Sequence, residues 1–262
     1  MNNNLFWLPA DWPAPANIRA GTTLRSGGVS QAPYHSLNLG DHVDDDPAAV
    51  TENRQRLITA LQLPSEPVWL KQVHSKVIVD AANTLPGTIE ADGSYTIKSE
   101  VVCAVLTADC LPVLICNQPG TQVAAVHAGW RGLADGIIET ALEKFAGDKS
   151  KLMVWLGPAI GADNYEVGND VRAYFLAHDP AAASAFKHRD QPLNQPPVQT
   201  RKQPGEEKWL MDIYQLAHQR LNKHSITAIY GGEFCTFKGS EKFYSYRRDG
   251  ITGRMASLIW ID

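Results

Sequence analysis

Two apolar runs dominate the middle of the chain, "LPVLIC" (111–116) and "VAAVHA" (123–128). Neither alternates with polar residues, so each predicts a strand covered on both faces. Between them "NQPGT" is a strong turn signal, and the pattern predicts a hairpin of strands 111–117 and 122–128. Upstream, "NIRAGTTLRSGGVS" predicts a strand ending in a glycine turn. "VWLKQVHSKVIVD" is β-rich with a bend near His74, and "GSYTIKSEVVCAVLTAD" holds one or two strands. Downstream, "KLMVWLGPAIG", "ITAIYGG" and "RMASLIWI" predict strands.

Four segments carry a helical pattern. In "DDDPAAVTENRQRLITALQL", Asp46 suits the cap, Pro47 the first helical position, and Val50, Leu57 and Leu61 one side. Leu133, Ile137, Ile138, Ala141, Leu142 and Phe145 form one face of a helix at about 131–146, ended by Gly147. "NDVRAYFLAH" and "DIYQLAHQRLNKH" predict two more, the second capped by Asp212. Residues 187–208 are polar and proline-rich, which predicts a mobile surface loop inside one domain spanning 1–262. Strand meanders mixed with helices predict an α+β fold with mixed sheets screened by helices.

Composition narrows the function classes. The chain has 262 residues, 44% apolar and 20% charged, as in an ordinary globular protein. A net charge of −4 and the absence of a long basic run argue against a nucleic-acid or anionic-membrane partner. No apolar run reaches the ~18 residues of a membrane span, and the first residues lack the pattern of a secretory leader. Four cysteines, unevenly placed, do not read as a disulfide framework. The expectation is a reduced, cytoplasmic protein.

The hairpin brings two chemically active residues together. A symmetric loop pairs Asn117 with Gly120 and makes Cys110 and His127 direct cross-strand partners, their Cβ atoms ~4.5–5.5 Å apart on one face. Either residue alone reads as packing. Together they suit two ligands of one metal or a thiolate–imidazole pair. Pro112 is the weak point, because it cannot donate to a ladder. After His127, "HAGWRG" enters a helix, where Gly129 and Gly132 admit close backbone approach and free N–H groups face an anion. Trp130 reads as a core aromatic. Asp109 and Asp92 are candidate proton carriers, or orienting groups for a ligand histidine. Arg25, Arg131 and Arg248 are candidate phosphate or substrate contacts. In an extended "SYRRD", Arg247 and Arg248 point to opposite faces. Cys103 and Cys235 read as packing residues.

At this point the motifs "TLRSGGVS", "SLNLGDHVDDD", "QVHSKV", "TADCLPVLI", "VAAVHAGWRG", "LGPAIG" and "FYSYRRDGITGRMASLIWI" resemble the YfiH-like family over nearly the whole chain. The resemblance implies a mixed β sandwich flanked by helices, like the catalytic domain of cytotoxic necrotizing factor toxins. It implies a metal site of His74, Cys110 and His127, with zinc the expected ion and copper ranked below it. Three protein ligands leave a fourth tetrahedral position open, as in a catalytic zinc site. The implied activity is a zinc-dependent purine nucleoside phosphorylase acting on adenosine, inosine, guanosine and methylthioadenosine, with adenosine deaminase activity. Its partners would be purine nucleosides and phosphate, in a monomer or weak homo-oligomer. The same family has been labelled a multicopper polyphenol oxidase (laccase), and a role in editing peptidoglycan precursors has been proposed.

Two other readings compete. A multicopper cluster needs many histidines, usually in His-x-His pairs, and this chain has eight histidines and no such pair. A cysteine-type hydrolase or amidase would use Cys110 as nucleophile and His127 as base, and would have no need of His74.

Overall fold

The computed structural model describes residues 6–85, 89–189 and 207–262. Its sheets and helices form an α+β architecture. One sheet has four strands in the order β1 (Trp7–Pro9), β2 (Ile18–Thr23), β13 (Met255–Ile261), β5 (Cys103–Thr107). A second has six, in the order β12 (Ile229–Gly231), β8 (Leu152–Leu156), β6 (Leu111–Asn117), β7 (Val123–Ala128), β4 (Gly93–Thr96), β3 (Ile78–Asp80). A small third sheet joins β10 (Phe186–His188), β11 (Lys208–Met211) and β9 (Glu166–Gly168).

Strand alternation explains the layering. Along β6, Val113 and Ile115 pack against helices, while Leu114 and Cys116 pack against the four-stranded sheet. Cys103 and Val105 of β5 and Ile259 and Ile261 of β13 complete that inter-sheet core. The other faces of those two strands, through Ala104, Leu106, Leu258 and Trp260, join a core with Leu57 of α1 (Pro47–Leu61). Both faces of the central strands are therefore buried, which is why they lack polar alternation. No helix among the described residues is long and apolar enough to cross a membrane.

Helix α1 starts as its sequence requires: Asp46 accepts from the Ala48 N–H, and Pro47 fills the first position. The expected helix over 131–146 is instead two short helices, α2 (Trp130–Asp135) and α3 (Ile137–Glu143). Gly136 divides them at φ +97, a left-handed conformation that ends one helix and begins the next. Helices α4 (Asn169–His178) and α5 (Ile213–Lys223) lie where expected, and Asp212 caps α5 through the Gln215 N–H. "YRRD" is a helical turn, α6 (Tyr246–Asp249), not an extended strand, because Ser245 caps it by accepting from the Arg248 N–H. The β-rich stretch 67–77 makes two isolated bridges, Val68 with Cys103 and Lys71 with Glu90, before β3 begins. Of the polar loop expected at 187–208, residues 190–206 lie outside the described residues, and its two ends belong to β10 and β11.

The hairpin register also differs from the expected one. Asn117 pairs with Gln122, not Gly120, because its side-chain oxygen accepts from both Thr121 N (2.9 Å) and Gln122 N (3.0 Å). The loop is two residues longer, and His127 faces Pro112 instead of Cys110. A slip of two preserves the face, since side chains alternate with period two. Cys110 and His127 thus become diagonal neighbours on one face, still within reach. Pro112 is tolerated opposite His127 because the His127 N–H turns the other way, to the Asp92 carbonyl at 2.7 Å.

Candidate metal centre

Three chain segments meet at one end of the sandwich. His127 is on β7, on the face turned toward the four-stranded sheet. Cys110 lies at the crossover where the chain leaves β5 and enters β6, directly after Asp109 in a left-handed conformation (φ +93). His74 sits in the irregular stretch before β3, itself at φ +61. One ligand atom from each residue lies within 4.8 Å of the other two. Cys110 Sγ is 3.8 Å from His74 Nε2, and the two imidazole rings stand 4.9 Å apart at 74°. Gly129 closes in behind them: a Cβ there would lie 2.5 Å from His74 Cδ2 and 3.4 Å from Cys110 Sγ.

Asp92, fully buried, organises both histidines. Its Oδ1 accepts from His127 Nδ1 (2.8 Å) and from the His74 backbone N–H (3.0 Å). Its Oδ2 accepts from Val73 N, Ser75 N and Ser75 Oγ at 3.2, 2.6 and 2.8 Å. Three successive backbone N–H groups wrapped on one carboxylate hold residue 74 in its left-handed conformation, which costs a non-glycine residue about 1–3 kcal/mol. The Nδ1–H bond also fixes the His127 tautomer and leaves Nε2 as the free donor atom. Burial alone would raise the Asp92 carboxyl, but the hydrogen bond and charge of His127, with the Ser75 donors, hold it below its ordinary range.

Burial likewise opposes a thiolate at Cys110, yet the charge of His127 and hydrogen bonds from both histidines outweigh it and bring the thiol down to about 6. His127 moves the other way: burial would lower it, but the Cys110 charge and Asp92 raise it to about 9. Without a metal both shifts favour a thiolate beside an imidazolium. One soft anionic sulfur and two imidazoles form a donor set suited to zinc or copper.

The other sequence candidates fall in different settings. Asp109 is buried; Oδ1 accepts from Thr236 Oγ1 (2.5 Å) and Oδ2 from Arg247 N (2.7 Å), so both oxygens tie the Cys110 crossover to α6. Burial raises its carboxyl despite those bonds. Arg248 gives its guanidinium to the carbonyls of Thr236, Phe237 and Phe243 and to Asp249. Arg247 donates to the Glu166 carbonyl. Arg25 donates to the His35 and Ser240 carbonyls and lies 4.9 Å from the Tyr244 ring centre. Arg131 is exposed and stacks on the half-buried Trp130 at 4.7 Å. Cys103 and Cys116 are fully buried, and burial pushes each thiol up to about 12. Cys235 is half-buried, with its sulfur 3.2 Å from the Gly161 N–H. The role of Asp92 was open from sequence, because only the β4–β7 register places it beside His127.

Similarity to known proteins accords with this picture. The family model described as multi-copper polyphenol oxidoreductase laccase matches residues 19–262. A protein of Pseudomonas aeruginosa named purine nucleoside phosphorylase is 49% identical over 255 residues, covering 97% of this chain and 98% of its own. The Escherichia coli purine nucleoside phosphorylase YfiH is 49% identical over 251 residues, covering 95% and 96%. Among solved structures, a Neisseria meningitidis protein superposes with a TM-score of 0.88 at 48% identity, covering 98% of this chain and 99% of that one. YlmD of Geobacillus stearothermophilus superposes at 0.79 with 31% identity, covering 98% and 96%. By motif, by fold and by near full-length similarity, the chain belongs to the YfiH-like family, whose family model bears the laccase description.

Proposed function

We propose that the protein is a zinc-dependent purine nucleoside phosphorylase that accepts adenosine, inosine, guanosine and methylthioadenosine and also deaminates adenosine. The observation that carries the reading is the convergence of His74, Cys110 and His127 within 4.8 Å, in a chain 49% identical to relatives named purine nucleoside phosphorylase. The donors would be His74 Nε2, Cys110 Sγ and His127 Nε2. Zinc bound there would supply positive charge able to polarise a phosphate or substrate oxygen. Asp92 sets the orientation of both imidazoles. Asp109 anchors the crossover that presents the sulfur, so it is a positioning residue. In phosphorolysis a phosphate oxygen bonds to ribose C1′, the C1′–N9 bond breaks, and the purine leaves with the electron pair and takes up a proton. In deamination water adds oxygen at C6 and ammonia leaves.

His74 separates this reading from a cysteine hydrolase. A Cys–His nucleophile pair needs Cys110 and His127 alone, yet the chain also holds His74 in a costly conformation with Nε2 3.8 Å from the sulfur. A multicopper cluster is disfavoured by the donor inventory. Among the described residues, one group of three or more potential ligands is found.

The test is product identity. Adenosine incubated with and without phosphate is followed for adenine, ribose 1-phosphate and inosine. The reading requires adenine and ribose 1-phosphate that form only with phosphate. Base release independent of phosphate, or no turnover of any purine nucleoside, contradicts it.

A further inference from the structure

A cleft of about 600 Å³ opens beside the crossover, lined by Tyr34, His42, Tyr246, Thr252 and Arg254, with Ile251 at its rim. Its position follows from strand register. Met255 of β13 pairs with Thr107 of β5, three residues before Cys110, and Arg254 directly precedes Met255. From the other side, Asp109 ties the backbone of Arg247 to the same crossover. The cleft therefore adjoins the candidate metal centre.

Arg254 lines the cleft with part of its guanidinium unpaired. Its Nη1 donates to the Thr252 and Gly253 carbonyls at 2.9 and 3.1 Å, while Nε and Nη2 carry no hydrogen bond among the described residues. It has no carboxylate within ion-pair distance among those residues. Arg54, by contrast, reaches Asp41 at 3.3 Å and Arg248 reaches Asp249 at 2.6 Å. Burial lowers the Arg254 guanidinium from its ordinary value, and the nearby charges of Cys110 and Asp109 oppose that shift. Gly40 leaves the space that its stem occupies: a Cβ there would lie 2.7 Å from Arg254 Cγ and 3.4 Å from His42 Cε1. Arg254 and His42 thus share one wall.

A second observation concerns Thr252. It is 2% exposed, and its hydroxyl has no hydrogen-bond partner among the described residues. A buried hydroxyl without a partner costs about 1–3 kcal/mol, and a half-buried cation with no carboxylate in ion-pair distance is costly as well. The two lie in one wall, and a tetrahedral oxyanion would satisfy both: it accepts from the free edge of a guanidinium and from a hydroxyl. The carboxylates in the lining do not fill that role. Asp249 is paired with Arg248, and Asp44 is exposed.

We infer that this cleft is the binding site of the inorganic phosphate consumed in the reaction, with Arg254 and Thr252 as its principal donors. The inference rests on the phosphorolysis reading for the identity of the anion. It places the attacking phosphate next to the metal centre, on the side where β13 and α6 meet. The arginines singled out from sequence, Arg25 and Arg248, hold loops through backbone carbonyls, and Arg131 is exposed.

The experiment measures phosphate binding directly, on zinc-loaded protein without nucleoside, by equilibrium dialysis against labelled inorganic phosphate. Wild type, Arg254→Gln and Thr252→Val are compared, with zinc content and phosphate KM measured on the same samples. The expected result is saturable binding in wild type, weakened about ten- to hundredfold in Arg254→Gln and several-fold in Thr252→Val. Zinc content and nucleoside KM should hold. Thr252→Val is nearly isosteric and keeps the test valid if Arg254→Gln does not fold. No binding by wild type at about 10 mM phosphate, or wild-type binding by Arg254→Gln, overturns the inference. Arg254-dependent phosphate binding without nucleoside turnover would keep the anion site and refute the phosphorylase reading. Phosphate-dependent turnover with an unchanged phosphate KM in Arg254→Gln would do the reverse.

Discussion

Asp92 Oδ1 accepts a hydrogen bond from His127 Nδ1 at 2.8 Å, and the same oxygen accepts the His74 backbone N–H at 3.0 Å. One buried carboxylate thus aims an imidazole through its ring and another through its backbone. The centre depends on that carboxylate more than on any regular element, since His74 lies in neither a helix nor a strand.

Asp92→Asn keeps the volume but loses the negative charge and one acceptor oxygen. Zinc affinity should fall about 10–100-fold, the usual cost of losing a carboxylate behind a histidine ligand. Competition with a chromophoric chelator measures it. Unchanged affinity would mean that His127 needs no orienting partner.

The same residue predicts an acid limb. Its folded carboxyl lies below the unfolded value near 4, so its contribution to stability is complete above that value and lost as pH falls through the folded one. Metal-free wild type should lose stability more steeply than Asp92→Asn as pH falls below the unfolded carboxyl value near 4. Urea midpoints across that range are the readout, and parallel curves would contradict the assignment.

Gly129→Ala places a methyl 2.5 Å from His74 Cδ2. His74 must move, so metal affinity should drop at least about tenfold while the fold, held by the sheets, survives. Zinc titration paired with far-UV circular dichroism separates the two effects.

Metal loading should be pH-linked. Below about 9 the metal must displace a proton from His127, and below about 6 one from Cys110 as well. Zinc affinity should therefore rise with pH between 6 and 9 and fall more steeply below 6. Loading in weak buffer at pH 7 should release protons, and calorimetry in buffers of different ionisation enthalpy counts them.

Tyr214 holds the loop after β8. Its oxygen accepts the Ala159 N–H at 2.7 Å and lies 3.0 and 2.8 Å from the Gly157 and Phe234 carbonyls. Tyr214→Phe leaves that N–H without its partner and should cost about 1–3 kcal/mol in urea unfolding, with zinc affinity retained. A change below ~0.5 kcal/mol would show that water replaces the phenol.

Much of this was legible in the chain, and the exceptions have physical causes. Cys110 and His127 were brought together by the expected hairpin. The expected register was wrong by two residues, and parity rescued the pairing. His74 lay beyond spacing arguments: it is 36 residues from Cys110 in a segment whose conformation is set by Asp92, not by local pattern. Gly136 carried the signal for the split of α2 from α3, but the apolar face of 133–145 runs across it. Nothing in the sequence pattern singles out Arg254, because its lack of a carboxylate partner among the described residues is a property of the fold.

The most direct test of the central claim counts metal. Protein purified without added metal is assayed for zinc and copper per chain, beside His74→Ala, Cys110→Ala and His127→Ala. The account predicts about one zinc per wild-type chain, and little or none in each variant. A wild type that holds no metal after incubation with zinc, or a His74→Ala variant that binds zinc as tightly as wild type, would contradict it.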